Sequence, residues 1–362
     1  MLVVYPGILK LYPRVRIKPS VDALSEILDS VKLEGAIFFN AELTAPWGFR
    51  SPPSCEVAAI LRKGPKHIVI YHLLTDGRAR CKVEDSAYAV ELIAGDIVIF
   101  PHGDAHIISN GSPSYLIDNN RAYLKEVFSR GLAPFRDGGG GECTTFVCGY
   151  MECDRDLCKT FLSGLPPVFK VNVRNDHSGQ WLENSIKFSA GEASANRAGS
   201  DAVLARLSEA LFVDTLRRYM VELPPQQTGW LAGARDPGVG AALAHLHRAP
   251  EHPWTIASLA QQVGLSRSVL AERFRHFLGE PPMTYLSRWR LQLGSRMLTS
   301  TSYTVARISG DVGYESEPAF NRAFKREFGV PPARFRTQAR SARRAARLGR
   351  EQAEMKSSSP RR

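Results

Sequence analysis

One pattern occurs twice in this chain, first as WTIASLAQQVGLSRSVLAERFRHFLGEPP over Trp254–Pro282 and again as YTVARISGDVGYESEPAFNRAFKREFGVPP over Tyr303–Pro332. Apolar, glycine and proline positions align between the two segments, first at an offset of 49 residues and then of 50. The aligned pairs are Leu259 with Ile308, Gly264 with Gly313, Leu270 with Phe320, Phe274 with Phe324 and Gly279 with Gly329. An internal repeat of this kind predicts two copies of one structural unit.

Each copy has the periodicity of two short helices joined by a tight turn. Four apolar residues of the first copy recur at the spacing of one helical face, namely Ile256, Leu259, Ala260 and Val263. Gly264 follows, where a left-handed glycine can end a helix, and Ser266 is suited to cap the next one. The second helices turn apolar side chains inward, which are Leu270, Phe274 and Phe277 in the first copy and Phe320, Phe324 and Phe328 in the second. Two helix-turn-helix units are therefore predicted.

Charge distinguishes these helices from an ordinary helical bundle. Residues 239–362 carry 21 Lys and Arg against nine Asp and Glu, a net charge of +12, whereas residues 1–238 have a net charge of −1. The whole positive excess of the chain, +11, thus lies in its C-terminal third, which contains the repeated unit. A basic surplus on helix-turn-helix units predicts contact with the phosphates of double-stranded DNA.

The same region resembles the DNA-binding domain of the AraC/XylS family of transcription regulators. The resemblance extends over residues 239–338 and is carried by LAQQVGLSRSVLAERFRHFLGEPP, by YLSRWRL and by ISGDVGYESEPAFNRAFKREFGVPPARFR. It implies that a long helix, over about Met283–Thr299, joins the two units, with their second helices in successive major grooves about 34 Å apart. RNA polymerase is a further expected partner at such a promoter.

The second helix of each unit supplies the residues expected to contact DNA. They lie opposite the apolar face and are Arg267, Ser268, Ala271, Glu272 and Arg275 in the first unit, and Glu317, Asn321, Arg322 and Lys325 in the second. The resemblance assigns Ser268, Ala271 and Glu272 to bases, and Arg322 to a base or the DNA backbone. By side-chain chemistry, asparagine suits adenine and glutamate can accept from cytosine. The alternative for each residue is a solvated surface position.

The N-terminal part of the chain has the pattern of a β-rich domain. Short runs of β-branched and aromatic residues alternate with turn residues after Gly35, and they are AIFFNAEL, HIVIYHLL, CKVED, AYAVELI, DIVIF, AHIIS and SYLID. Ahead of them, Asp22–Leu33 has the spacing of a short helix. Several short strands at regular spacing predict a β-sandwich or barrel.

One turn between these strands resembles a motif of the cupin fold. Residues 95–110, GDIVIFPHGDAHIISN, have glycine, proline, glycine, histidine and asparagine at the spacing of the second cupin motif. The first cupin motif is incomplete, because His72 and Asp76 match it but Ile70 stands where a further histidine belongs. Over roughly residues 20–170 the chain resembles the cupin-type sensor domain found ahead of some AraC-family DNA-binding domains, which implies a jelly-roll β-barrel.

Two histidines and a carboxylate of this domain form a candidate effector or metal site. His72, Asp76 and His106 would present a facial ligand set that suits a divalent transition metal. The competing interpretation is a barrel that has lost its metal, in which the histidines form hydrogen bonds around an organic ligand or within the core. The sequence indicates no other cofactor.

Four cysteines recur at every fifth position, namely Cys143, Cys148, Cys153 and Cys158. A five-residue period alternates faces on a strand and turns about 140° per step on a helix, so these side chains cannot line one regular surface. A folded loop could bring two or more of them together as a thiol switch or a soft-metal site. In the alternative, Cys148 lies on a buried strand and serves as a small apolar side chain.

The predicted organisation has four parts. Residues 1–170 form the sensor domain, 171–238 a helical connector and linker, 239–338 the DNA-binding domain, and 339–362 a basic tail that begins as a frayed helix and becomes disordered. Within the connector, Trp181, Leu182 and Ile186 indicate a short helix, and Asp201–Leu223 has the pattern of a longer one. The longer helix could pair two chains as a homodimer or pack on its own barrel.

The sequence carries no recognisable signal for export or membrane insertion. The first 20 residues, MLVVYPGILKLYPRVRIKPS, lack the apolar run and the cleavage site of a signal peptide. No stretch approaches the roughly 18 consecutive apolar residues that cross a bilayer. A cytoplasmic protein is therefore expected, in which the six cysteines are mostly thiols.

Together these features predict an α+β, multidomain transcription regulator. In it, a cupin-like barrel senses a small molecule, a metal or an oxidant and modulates sequence-specific binding to a promoter; activation or repression is left open. Such coupling requires the effector to bind two states with different affinity. The main alternative is an enzyme, a metal-dependent cupin dioxygenase or isomerase with a DNA-binding domain, which the missing histidine disfavours. A third interpretation is a purely architectural DNA-binding protein, which an affinity for DNA that does not depend on sequence would support.

Overall fold

In the computed structural model of this chain, a sheet-rich N-terminal domain is followed by an all-helical C-terminal domain. The structure describes residues 22–31, 33–60, 67–112, 116–118, 132–154, 158, 161–162, 164–194 and 197–341. The interpretations of residues 1–20 and of most of the basic tail therefore lie outside the described residues. The predicted succession of a β-rich part and a helical part is confirmed.

The described strands form two sheets. Their bounds are β1 Glu34–Thr44, β2 Trp47–Ser51, β3 His67–Asp76, β4 Arg78–Val83, β5 Val90–Ile93, β6 Asp96–Phe100, β7 His106–Asn110, β8 Ile117–Asp118, β9 Phe135–Gly138, β10 Cys143–Cys153 and β11 Phe169–Asn172. One sheet has the order β11-β6-β3-β10-β1-β9 and the other the order β5-β4-β7-β2-β8. Strands β9 and β8 run parallel to their neighbours β1 and β2. Each of the seven predicted runs contains all or part of a strand.

The central strands are apolar on both faces because both faces are covered. Side chains of β3 alternate between two cores, as the two-residue period of a strand requires. Ile68, Ile70 and Leu74 lie between the sheets, whereas Val69, Tyr71 and Leu73 lie in the core beneath the helices. Strands β6 and β10 alternate in the same way. Every second residue of these three strands therefore points into the interior between the sheets.

Helices cover the outer face of the larger sheet. Those described in this domain are α1 Ala23–Val31, α2 Ser54–Ile60, α3 His177–Ser194 and α4 Ser200–Glu222, with a 3-10 turn at Val173–Asn175. Helix α4 buries Leu204, Leu211 and Leu216 in the core of its own chain. The hydroxyl of its Ser208 is 2.6 Å from that of Tyr71 on β3. Of the two alternatives for this helix, packing on its own domain is the one observed.

The C-terminal domain contains the two predicted helix-turn-helix units. Its helices are α5 Trp230–Arg235, α6 Pro237–Arg248, α7 Ile256–Gln262, α8 Arg267–Leu278, α9 Pro282–Ser300, α10 Val305–Asp311, α11 Glu317–Phe328 and α12 over 332–341. The pairs α7–α8 and α10–α11 are the two units, and α9 is the long helix between them. Over the described part of the chain, no helix is both long and apolar enough to cross a bilayer.

The two units differ in how their cores are built. Leu259, Leu270 and Phe274 of the first unit belong to the same continuous core as the larger sheet and α4. The second unit has a separate core, formed mainly by Leu291, Leu298, Ile308, Val312, Phe320 and Phe324. The first unit is therefore held by the N-terminal domain, whereas the second depends on a few side chains of its own.

Candidate functional site

The candidate DNA-binding surface is built on α8 and α11, the second helices of the two units. Their inner faces are fixed by Leu270 and Phe274 in α8 and by Phe320 and Phe324 in α11, all fully buried. The predicted contact residues lie outside these buried positions. Arg267, Ser268, Glu272, Arg275, Arg322 and Lys325 are exposed, and Ala271, Glu317 and Asn321 are partly exposed. Their assignment to DNA stays a prediction.

Local sequence determines where each of these helices begins and ends. Ser266 accepts a hydrogen bond from the Val269 N–H and so caps α8, as predicted, and Ser316 caps α11 in the same way through the Ala319 N–H. The turn glycines Gly264 and Gly313 have φ values of +70° and +86°, in the left-handed region that favours glycine. The first turns of both helices are thus held rigidly at the surface.

Not every basic residue of α8 is available to DNA. The guanidinium of Arg273 contacts the Asp236 carboxylate at 2.5 Å, and Asp236 also caps α6 through the Gly238 and Val239 N–H groups. Arg273 therefore joins α8 to the start of α6. This structural role could not be read from the spacing of charged residues alone.

The interior of the N-terminal domain contains a hydrogen-bonded pair of histidines. His72 on β3 and His106 on β7 belong to different sheets, and their Nε2 atoms are 2.8 Å apart. Both side chains are buried, and the His106 ring stacks on Phe100 with a centroid distance of 3.6 Å. The pair therefore bridges the two sheets within an aromatic surrounding.

The hydrogen bonds of this pair determine its proton positions. His106 Nδ1 is 2.8 Å from the Asp104 carbonyl oxygen, which can only accept, so His106 carries its proton on Nδ1. Its Nε2 then accepts from the Nε2–H of His72. The remaining His72 nitrogen, Nδ1, accepts from the thiol of Cys148 on β10. A continuous chain thus runs from the Cys148 thiol through two neutral imidazoles to a backbone carbonyl.

Burial keeps the three side chains of this hydrogen-bonded series, Cys148, His72 and His106, uncharged. Desolvation lowers the pKa of His106 from 6.5 to about 4. It also lowers the pKa of His72 well below its usual value, and the neighbouring imidazole of His106 adds to the effect. The pKa of the Cys148 thiol is raised by the same desolvation. Each group is consequently held in the protonation state that the hydrogen bonds require.

The predicted metal ligand set does not assemble. Asp76 is exposed at the end of β3, and its carboxylate accepts a hydrogen bond from the adjacent Gly77 N–H. Cys148 lies on the far nitrogen of His72, so only two imidazole nitrogens face each other. Among the described residues, no group of three or more His, Cys, Asp or Glu is placed to hold a metal ion. These residues do not fit the divalent metal of a cupin centre.

The four regularly spaced cysteines separate into three environments. Cys143 is exposed at the start of β10, and Cys148 is buried beside His72. Cys153 and Cys158 form a disulfide and are buried beneath the helices. The sequence pattern does not predict the hydrogen bond between Cys148 and His72. This contact depends on the β3–β10 register, in which the two residues are directly paired.

Thiol labelling should separate these environments. With an aromatic disulfide reagent, native protein is expected to react quickly at Cys55 and Cys143, which are exposed. Cys81 and Cys148 are buried, and burial raises the pKa of Cys81 to about 12, so both should react only on unfolding. Cys143→Ser should halve the fast phase and Cys148→Ser should leave it unchanged. A fast phase that disappears in Cys148→Ser would contradict the burial of this thiol.

Comparison with known proteins agrees with both halves of the chain. A family described as Cupin matches residues 22–221, and a family described as Helix-turn-helix domain matches residues 259–338. The HTH-type transcriptional regulator AlkR of Acinetobacter baylyi is 30% identical over 88% of this chain and its own full length. The RCS-specific HTH-type transcriptional activator RclR of Escherichia coli is 27% identical over 88% of this chain and 99% of its own.

A solved structure was also found for the C-terminal region. It is a transcriptional regulator of the AraC-type DNA-binding class from Chromobacterium violaceum, 29% identical, with a TM-score of 0.28, and the match covers 30% of this chain and 96% of that one.

A cupin-type domain followed by two capped, basic helix-turn-helix units defines a DNA-binding transcription regulator. The similarity to AlkR extends over 88% of this chain, and the cupin family matches residues 22–221, which is more than half of this chain. The chain therefore belongs to the AraC family of transcription regulators. The relatives are regulators, which confirms the prediction of a regulator rather than an enzyme.

Proposed function

We propose that this regulator binds promoter DNA in a sequence-specific manner through α8 and α11, and that its N-terminal domain adjusts this binding in response to an effector. The observation that carries the proposal is the rigid presentation of both second helices. Each is capped, anchored by two buried apolar side chains, and exposes polar side chains at its N-terminal half. Side chains at that end of a recognition helix are the ones that reach base edges.

The second unit carries the stronger base-reading chemistry. Arg322 is exposed and Asn321 partly exposed on α11, and these residue types pair with guanine and adenine edges in the major groove. The first unit offers the small and acidic set Ser268, Ala271 and Glu272, which suits a thymine methyl group or the amino group of cytosine. Discrimination between promoters is therefore expected to rest more heavily on α11.

Arg322→Ala is expected to weaken binding to the cognate site by about 1–3 kcal/mol if the guanidinium reads guanine. The measurement is a titration of wild type and variant with the cognate duplex and with duplexes changed at single positions. Arg326→Ala, one turn further along α11 at another exposed position, is the matched control and should reduce affinity equally for all duplexes. Equal loss across all duplexes for Arg322→Ala would assign it to phosphate, and undiminished binding would remove it from the interface.

The N-terminal domain contacts three helices that flank the first unit, namely α5, α6 and α9. Glu26 of α1 forms an ion pair with Arg248 of α6 at 3.0 Å, and the Arg296 guanidinium of α9 donates to the Ser30 carbonyl. Phe161 contacts Trp230 of α5 edge-to-face. These contacts support a mechanism in which an effector bound to the N-terminal domain changes how it holds the first unit. A rearrangement of this kind would alter the spacing or freedom of the two recognition helices.

The interior chemistry of the N-terminal domain supports one class of effector over another. Because the metal ligand set does not assemble, the arrangement favours a small organic molecule or an oxidant over a divalent metal. The interior between the sheets is aromatic, with Trp47, Phe49 and Phe146 stacked beside His72. The two facing sheets also support the jelly-roll interpretation of this domain. Binding to promoter half-sites as a homodimer completes the proposal, with RNA polymerase as the partner whose activity is altered.

A further inference from the structure

Helix α9 takes part in the cores of both helix-turn-helix units. Tyr285 and Trp289, in its first half, lie in the continuous core that includes the first unit. Leu291 and Leu298, further along the helix, lie in the separate core of the second unit. The change from one core to the other therefore falls at Arg290, the residue between Trp289 and Leu291.

The guanidinium of Arg290 is bonded to the loop that leads from α6 into the first unit. Its Nε–H donates to the Pro250 carbonyl at 2.6 Å, and an Nη2–H donates to the His252 carbonyl at 2.8 Å. The loop itself is attached to the first unit, because Trp254 packs on that core and its indole N–H donates to the Ala249 carbonyl. Hydrogen bonds from a charged donor are stronger than neutral ones, so α9 is firmly tied to this loop.

The same guanidinium lies against the turn of the second unit. A Cβ added at Gly313 would come within 2.9 Å of Arg290 Cζ and Nη2, and within 2.7 Å of Glu251 Cα in the loop of the first unit. Only glycine therefore leaves room for this close approach. The adjacent Tyr314 belongs firmly to the second unit, since its ring contacts Phe320 edge-to-face at a centroid distance of 5.3 Å. Arg290 thus lies between a loop of one unit and the turn of the other.

The internal repeat shows that this contact is not a requirement of the turn itself. Gly264 is the equivalent residue of the first unit, and its φ of +70° is close to the +86° of Gly313. A Cβ added at Gly264 would meet no heavy atom within 4 Å. Both turns use the left-handed conformation of glycine, but only the second also uses its missing side chain to reach the other unit.

Arg290 is less suited to contact a DNA phosphate than the exposed arginines of this domain. Its partial burial lowers its pKa, and the nearby Tyr314 and Glu251 counteract this effect. A guanidinium that is partly desolvated and already bonded to two carbonyls has less to offer a phosphate than the exposed Arg322. The contacts of Arg290 therefore favour a role within the protein.

We propose that Arg290 is a positioning residue that holds α8 and α11 at one separation and one relative rotation. Helix α9 joins the two units covalently, and a single connection permits bending and rotation. The contact of Arg290 with the loop and with Gly313 is a second connection, which restricts both motions. Helices that read successive major grooves must lie about 34 Å apart on one side of the duplex. The inference rests on the proposed function, in which α8 and α11 bind one promoter site together.

A distance measurement on the full-length protein without DNA tests the role of Arg290. Spin labels are placed at the exposed, repeat-equivalent positions 275 and 325 through Arg275→Cys and Lys325→Cys, with Cys55 and Cys143 replaced by serine. Labelled protein is diluted with unlabelled protein, so that pulsed electron resonance reports distances within one chain. Wild type should give one narrow distance distribution. Arg290→Gln should broaden it about twofold, because local freedom replaces one fixed arrangement.

The two turn glycines provide a matched pair of variants. Gly313→Ala and Gly264→Ala impose the same strain on a left-handed turn residue, but only the first would overlap Arg290. Gly313→Ala should therefore broaden the distance distribution as Arg290→Gln does. Gly264→Ala should leave the distribution as narrow as that of wild type.

Arg336→Gln is the control for the loss of an arginine. The Arg336 guanidinium also donates to two carbonyls, those of Leu298 and Tyr303, but these contacts join α12 to α9 and its following loop and do not reach the first unit. This variant should keep the narrow distribution even where its unfolding temperature falls. Arg290→Lys should restore the distribution only in part, because an ammonium lacks the planar fork that reaches two carbonyls.

DNA binding adds a readout that a merely stabilising role of Arg290 would not move. The probe is a duplex that the wild-type protein selects from a random-sequence pool, compared with the same duplex lengthened by one base pair between the sites of α8 and α11. Wild type should lose about 30-fold in affinity on this insertion, the size of a lost base-pair contact. Arg290→Gln should lose less than about threefold, and it should bind the original duplex about tenfold more weakly because its units must be ordered on binding.

Two results would overturn the role of Arg290. One is a wild-type distance distribution in both Arg290→Gln and Gly313→Ala. The other is an Arg290→Gln protein that binds both duplexes more weakly by the same factor. The two proposals can fail separately, since a wild-type protein that selects no duplex rejects sequence-specific recognition, whereas the distance distributions still decide what Arg290 does.

Discussion

Lowering the pH from about 7 to about 4.5 is expected to reduce the free energy of unfolding by about 1.4 kcal/mol per pH unit for each of two buried histidines. Burial lowers the pKa of His106 from 6.5 to about 4. Burial also lowers the pKa of His72 well below 6.5, and the neighbouring imidazole of His106 adds to this effect. Below pH 6.5 the unfolded chain takes up protons that the folded chain does not. Stability that is present above pH 6.5 is therefore lost as the pH falls toward 4.

The hydrogen-bond chain explains why the folded state resists these protons. His106 Nε2 must accept from His72, and His72 Nδ1 must accept from Cys148, so a proton on either nitrogen would place two donors face to face. Both rings are buried, so bulk solvent does not reach them to relieve this conflict. Acid should therefore weaken the contact between the two sheets.

Urea unfolding at several pH values checks this expectation. His106→Gln should reduce the slope of the unfolding free energy against pH by about 1.4 kcal/mol per unit. His177→Gln is the control for the substitution itself, since His177 lies exposed at the start of α3, away from the buried pair. The buried-pair assignment fails if the slope of His106→Gln equals that of wild type.

Phe324→Ala is expected to unfold the second helix-turn-helix unit. Phe324 is fully buried and contacts Phe320, Phe328 and Phe335, with ring centroids 5.4, 4.4 and 5.3 Å away. Removing a buried phenylalanine costs about 3–5 kcal/mol. The core of this unit consists of few residues, so a loss of that size equals most of the stability that so small a core can supply.

Unfolding of the second unit should remove only part of the affinity for DNA. Affinity for the cognate duplex is expected to fall about 100-fold, which corresponds to about 2.7 kcal/mol, because the contacts of α11 are lost while those of α8 remain. Phe328→Ala provides a graded control, since Phe328 is only half-buried on the same helix and should cost less. Full cognate affinity in Phe324→Ala, with a cooperative unfolding transition like that of wild type, would refute the independence of this core.

The helix-turn-helix units could be predicted closely from sequence because their determinants are local. Apolar spacing, the left-handed turn glycines and the N-cap serines act within one or two helical turns, and Gly264, Gly313 and Ser266 occupy the expected positions. Seven of the eleven described strands could be located for the same reason, whereas no predicted run covers β2, β9, β10 or β11. The contact residues on α8 and α11 remain a prediction, since only DNA itself can show which of them touch a base.

Two of the three residues of the candidate effector site could be placed together from the sequence. His106 and His72 were expected to converge, and they do, but Asp76 was expected to join them and does not. Asp76 is four residues from His72 and would share its face on a regular strand. The β3–β10 pairing shifts between Phe146 and Thr145, however, and this irregularity changes the facing of the strand before Asp76. A bulge of this kind depends on the partner strand and leaves no mark in the local pattern.

By itself, the sequence determined the two helix-turn-helix units, their basic character and the succession of a β-rich and a helical part, because periodicity, capping and charge are properties of neighbouring residues. Only the tertiary structure decided which residues meet across strands and helices. It paired Cys148 with His72 and joined Cys153 to Cys158, and it buried Leu204, Leu211 and Leu216 of α4 in the core of the same chain. These outcomes depend on register and on competition for one core, and both are settled by contacts between residues far apart in the chain.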